Sequence, residues 1–189
     1  MNADLLVYQA KAFYNAYIAL DQLSRDDSDT LLLLFAPLVV NGAFSAELAL
    51  KAILAKNQIE YGKEHNLLIL FQMLPKSFQQ ELWAYLIEKA PEYAGSEKGL
   101  DELILLSNAF VDWRYAFEGK PVPAIESRFL AAFANAAVHT MFSYYNADLL
   151  PATKAESNNE IEQRFHENRE KCKEINLKMI QKKTKEHQL

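Results

Sequence analysis

The sequence predicts an all-α fold, an up-and-down helical bundle followed by a charged C-terminal helical arm. Three observations carry this. Apolar residues recur at steps of three and four through every long segment, the spacing of one helix face. The 189 residues hold only five glycines and six prolines, too few for a many-turned β-protein. No segment shows the strict alternation of a half-buried strand.

Taken in order, Ala3 to Leu23 sets Leu6, Ala10, Phe13, Tyr17 and Leu20 on one face of a first helix. "SRDDSD" is an exposed turn, with Asp29 expected as the cap of the next helix. That helix runs from about Thr30 to Asn57, and Pro37 is expected to kink or restart it. Beyond Pro37 it is apolar nearly all round, which predicts the central helix of the bundle. "QIEYGKEH" reads as a loop and "NLLILFQML" as a short helix ended by Pro75. Ser77 and Gln80 have capping-box spacing at the head of "SFQQELWAYLIEKA". "EYAGSEKG" is expected to be a flexible loop. "LDELILLSNAFVDWRYAFE" predicts one amphipathic helix with Leu103, Leu106, Phe110, Trp113 and Phe117 on a stripe. Gly119, Pro121 and Pro123 stop it. A long Ala- and Phe-rich helix follows, from Ala124 to about Leu149.

Pro151 marks an expected boundary, giving a bundle over 1–150 and an arm over 151–189. Ser157 and Glu160 can cap the arm's helix. Ile161, Phe165, Asn168, Cys172, Ile175 and Met179 form its seam, and i,i+4 pairs such as Glu160–Arg164 support it.

The totals exclude several functions. A formal net charge of −5 gives no overall attraction to nucleic acid or anionic membrane. With Cys172 as the single cysteine, neither an internal disulfide nor a cysteine-clustered zinc site can form. The N-terminus lacks the pattern of a signal peptide, and "LLLLFAPLVV" is short for a bilayer span. The expectation is a soluble cytoplasmic protein. P-loop, Rossmann and HExxH patterns are absent, and no histidine follows a glutamate by three. No metal and no cofactor is expected. His139 reads as a packed core histidine and Cys172 as an apolar filler. The Lys-rich "NLKMIQKKTKEHQL" reads as a solvated helix end or a nucleic-acid contact.

The candidate site residues punctuate apolar helices. Glu47 and Lys51 share a face, displaced from the polar line of Asn41, Ser45 and Lys56. They are either a surface ion pair worth a few tenths of a kcal/mol (about 0.3–0.5) or a partly buried pair orienting groups from other helices. His65 sits where the "NLLILF" helix begins, as a capping or packing residue or as a ligand's hydrogen-bond partner. Arg114 shares a face with Ser107, Val111 and Glu118, with Asn108 and Asp112 on the next line. It is either half of an Arg114–Glu118 pair or an anion ligand.

Three segments, "PLVVNGAFSAELALKAIL", "KEHNLLILFQML" and "FVDWRYAFEG", together resemble the HEPN superfamily of prokaryotic helical domains. The pattern is a helix with Glu-x-x-x-Lys, a His-Asn/Asp-Leu turn and a later Arg-Tyr pair, over roughly Leu38 to Glu118. The resemblance implies a bundle of four or five helices, often a homodimer, and often a place in toxin–antitoxin, anti-phage or RNA-related systems. Some members are metal-independent ribonucleases, with an arginine followed after four to six residues by a histidine. Here those positions after Arg114 hold Gly119, Lys120 and Pro121, and no other arginine satisfies the pattern. The resulting expectation is a non-catalytic HEPN-like module that binds a nucleotide, an RNA or a partner protein through Glu47, Lys51, His65, Asn108 and Arg114. Alternatives are a divergent ribonuclease using His65 with Arg114, and a structural module that dimerises or recruits a partner through the Ile161–Met179 seam.

Overall fold

The computed structural model describes residues 3–25, 28–94, 97–115, 118 and 121–145. The chain divides into two units, Met1–Ala147 and Asp148–Leu189. The C-terminal arm, its cap and its seam lie outside the described residues, as does Phe117.

The helices are α1 (Ala3–Ser24), α2 (Ser28–Lys56), α3 (Leu67–Met73), α4 (Lys76–Lys89), α5 (Glu97–Leu106), α6 (Ala109–Arg114) and α7 (Ser127–Tyr145). A 3-10 turn occupies Pro91–Tyr93, and no strand occurs among the described residues. The α2 helix opens at Ser28, one residue ahead of the expected cap Asp29.

Ring contacts and hydrogen bonds fix the directions. Phe13 of α1 meets Phe44 of α2 edge-on at 4.6 Å, and Tyr17 closes on Gly42, so α1 and α2 are antiparallel. Leu130 also closes on Gly42, while Tyr145 donates its hydroxyl to Ala52 O at 2.9 Å and Lys56 Nζ reaches Tyr144 O at 2.8 Å. The α2 and α7 helices therefore run parallel. The α4 helix opposes α7, with Phe78 against Tyr144 at 4.6 Å and Tyr85 against His139 at 3.8 Å. The four long helices thus alternate up and down in chain order, with α2 and α7 together in the centre.

The all-round apolar character of α2 suits that place: every residue from Ser45 to Leu54 is buried. Leu33–Lys56 is long and apolar enough to cross a membrane by composition, but 56% of that window is buried in the bundle, the pattern of a core helix. Helix α2 passes through Pro37 without restarting. Asn41 Nδ2 donates to Pro37 O at 2.7 Å, adding a side-chain bond one turn past the proline. Ser45 is not on a polar line; it lies in the core and its hydroxyl donates to Gly42 O at 2.8 Å. The helix closes with Gln58 at φ +58°, whose N–H meets Ala55 O while Ile59 N–H meets Leu54 O. That is a Schellman ending, built on glutamine where glycine is the usual residue.

Other expectations are corrected. The Ser77–Gln80 capping box does not form, because α4 begins at Lys76 and its cap is Pro75, two residues before Ser77. The neighbouring Gln79 does the joining: its amide donates to Gln72 O and Leu74 O, stitching the end of α3 to α4. Of the expected flexible "EYAGSEKG", Tyr93 ends the 3-10 turn, fully buried with its hydroxyl donating to Glu126 Oε2 at 2.5 Å, and Glu97 opens α5. The expected single helix from Leu100 to Glu118 is broken at Ser107–Asn108 into α5 and α6. His139 is exposed rather than core, stacked on Tyr85.

Candidate functional site

The site grows from α2. Glu47 and Lys51 are one turn apart on a helix buried on every side, so neither charge can leave its partner for water. Glu47 is 1% exposed and Lys51 7%. Lys51 Nζ donates to Glu47 Oε1 at 2.6 Å. The pair is a core feature, and the surface ion pair is ruled out.

The turn before α3 brings a third group. Glu64 Oε1 accepts from the backbone N–H of His65 at 2.9 Å and of Asn66 at 2.8 Å. Asn66 caps α3, its Oδ1 accepting from Ile69 N–H at 3.0 Å. His65 is thereby held at its backbone, and its ring turns inward so that Nδ1 meets Glu47 Oε1 at 2.9 Å. A carboxylate only accepts, so Nδ1 carries the hydrogen of this bond. Glu47 Oε2 is buried with no hydrogen-bond partner. Tyr61 closes the same corner, its ring 5.4 Å from Lys51 Nζ. Burial first, and then the charge of Glu47, push its hydroxyl pKa up.

Phe110 joins this group to α6. It stacks on Phe44 at 4.2 Å and stands 6.2 Å from the His65 ring. The Arg114 guanidinium carbon lies 4.7 Å from the centroids of both Phe110 and Tyr115. Both rings are within the range of a cation–π contact with the guanidinium. Arg114 is exposed and has no hydrogen bond or ion pair among the described residues. Glu47 is occupied by Lys51 and His65, and no bond between Glu47 and Arg114 occurs among the described residues.

Asn108 enters through the break between α5 and α6. Its Oδ1 accepts from Asn66 Nδ2 at 3.1 Å, which sets it beside the His65 turn. Glu47, Lys51 and His65 meet directly, Asn108 meets the neighbouring Asn66, and Arg114 and His65 both neighbour Phe110. Sequence reasoning missed three connectors. Glu64 and Asn66 were visible as polar residues just before an apolar run, the usual place for capping. Phe110 stood on an apolar stripe, and nothing distinguished a platform from a core residue. Among the described residues no group of His, Cys, Asp and Glu could hold a metal ion.

Residues 38–128 match a family model described as HEPN domain, a window that contains all five of these residues. Searches of the curated proteins and of the solved structures return no match.

Proposed function

The chain belongs to the HEPN superfamily through residues 38–128, and from that membership we propose a non-catalytic binding module that recognises the anionic group of a nucleotide, an RNA or a partner protein. The observation that carries the reading is Arg114. Its guanidinium is exposed, packed on two rings and unpaired among the described residues, and one of those rings, Phe110, also neighbours a histidine bonded to a buried carboxylate. In this reading Arg114 takes the anion, Glu47 and Lys51 support the site from within, and His65 and Asn108 bond the ligand's remaining polar atoms. Homodimerisation and a place in a toxin–antitoxin or defence system belong to the same proposal and rest on family resemblance, while a cytoplasmic setting rests on the single cysteine and the N-terminal sequence. Titration with inorganic phosphate, followed through the Arg114 Nε–H and His65 ring resonances, tests it. Both sets are expected to shift together and saturate, and Arg114→Gln to abolish the shift of His65. If neither resonance moves, the reading is wrong.

One observation favours a second reading. The Glu47–His65 bond engages Nδ1, and in this reading Nε2 acts as a base on a ribose 2′-hydroxyl while Arg114 steadies the phosphorus-bound oxygens. The missing histidine after Arg114 speaks against it. Incubation with mixed RNA in EDTA separates the readings. Binding without chemistry leaves the RNA intact; cleavage lost in both His65→Ala and Arg114→Ala establishes the nuclease.

A further inference from the structure

Helices α3, α4 and α5 meet around an open groove of about 590 Å³, within the roughly 300–1,000 Å³ of small-molecule sites. Phe71 of α3, Trp83, Ala84 and Ile87 of α4 and Leu100 of α5 give it an apolar lining. Trp83 joins the three walls. Its ring lies 5.9 Å from that of Phe71, and a Cβ built on Gly99 of α5 would stand 2.9 Å from Trp83 Cζ2. The missing side chain at Gly99 is what lets the indole rest against α5. Leu100 is 47% exposed, so the apolar surface is open to water.

Lys76 is the single charged residue among those that line the groove. Its Nζ donates to Gln79 Oε1 at 3.2 Å, and the Gln79 amide is itself fixed by Gln72 O and Leu74 O. The ammonium has no carboxylate partner among the described residues. Helix stability does not account for it, since a cation in the first turn of α4 opposes the helix dipole. The lining residues of α4 fall at steps of three and four on one helix face, from Lys76 at one end to Ile87 at the other. That stretch is about 16 Å of helix by the rise per residue.

An apolar strip of this length with one cation at its end has the complement of a single-chain amphiphile. We propose that the groove binds a free medium-chain carboxylate, its chain along Trp83 and Ile87 and its head on Lys76. A nucleic-acid track would need several cations, and an extended peptide would set unpaired backbone groups against an apolar strip. The proposal is independent of Arg114, which does not line this groove.

Trp83 reports on the groove directly. Trp113→Phe removes the other of the two tryptophans, and Trp83 emission is followed as decanoate is added below its micelle concentration. A saturable blue shift is expected. Octanoate is expected to bind about tenfold more weakly and dodecanoate about tenfold more tightly, since two methylenes leave or enter the groove. Decyltrimethylammonium, with the same chain and a cationic head, is expected to bind at least tenfold more weakly than decanoate, and Lys76→Glu to reverse that order. Leu100→Glu, at an exposed position, should weaken decanoate binding while the thermal melt stays unchanged. Calorimetry on the unaltered chain gives the same affinities without the Trp113 change. No saturable binding by calorimetry overturns the proposal, as does binding indifferent to chain length or to Lys76. Phosphatidylglycerol vesicles that shift Trp83 where decanoate does not would overturn it in favour of a membrane surface.

Discussion

Lys51→Met is expected to lower the stability of the fold by about 3–5 kcal/mol, while Glu47→Leu combined with Lys51→Met returns it close to the parent. The reason lies in where the charges sit. Glu47 is 1% exposed, and one of its oxygens already lacks a hydrogen-bond partner. Removing the ammonium leaves the buried carboxylate with the His65 ring alone. Replacing both groups by apolar side chains of similar size removes the two desolvation costs together, and the surrounding residues are largely aliphatic, so such a pair packs well. Denaturant melts of the two single variants and the double variant check this, with the slope held constant to show that only stability has changed. The expected coupling is therefore at least the roughly 3–5 kcal/mol lost by the Lys51 variant alone, and larger by whatever Glu47→Leu loses on its own. A double variant as unstable as either single one would mean that shape, and not charge, explains the loss. The double variant also separates stability from function. It keeps the fold but gives up the carboxylate that orients His65, so its His65 resonance should no longer follow that of Arg114 when phosphate is added.

That a stable fold could be had without the pair bears on what the sequence could and could not reveal. The i,i+4 spacing of Glu47 and Lys51 is local and legible, and so is the central position of α2, because a helix that is apolar all round has nowhere else to go. The third partner was not legible. His65 is eighteen positions from Glu47, and its approach depends on how the turn held by Glu64 folds back over α2. The break at Ser107–Asn108 was hidden for a related reason. The apolar stripe runs through it without a glycine or proline, so local propensity favours one helix. The carbonyl of Ser107 is taken by Leu67 N–H from α3, and Val111 N–H turns to Asn108 O instead. A tertiary hydrogen bond thus replaces a helical one, and that change frees Asn108 to meet Asn66. His139 shows the converse. Its neighbours in sequence are small and buried, yet its own direction on α7 points to solvent, where the ring of Tyr85 receives it.

Gly42→Leu is expected to be the most damaging single change outside the polar cluster, costing about 3 kcal/mol or more. Gly42 lies where three helices meet. A Cβ there would stand 3.0 Å from Leu130 of α7 and 3.0 Å from Tyr17 of α1 at the same time. Both neighbours are buried, so neither can withdraw into water, and moving one helix away presses α2 against the other. Gly42→Ala sets two opposed effects against each other. Alanine gains about 1 kcal/mol of helix propensity, and the crowding costs about 1–3 kcal/mol, so the net loss should be about 1 kcal/mol. Leucine has the same propensity advantage and far more volume, so crowding dominates. Thermal melts of the Ala and Leu variants give the two magnitudes, and adding Leu130→Ala to Gly42→Ala should recover part of the loss, since it opens space on one side of the pinch. The displacement has a path to the site as well. Phe44, two residues along α2, stands between Phe13 and Phe110, and Phe110 carries both His65 and Arg114. A Gly42→Ala variant that stays folded is therefore expected to weaken phosphate binding without touching any residue that contacts the anion. Unchanged binding in a variant with the expected loss of stability would show that the aromatic column does not transmit the shift.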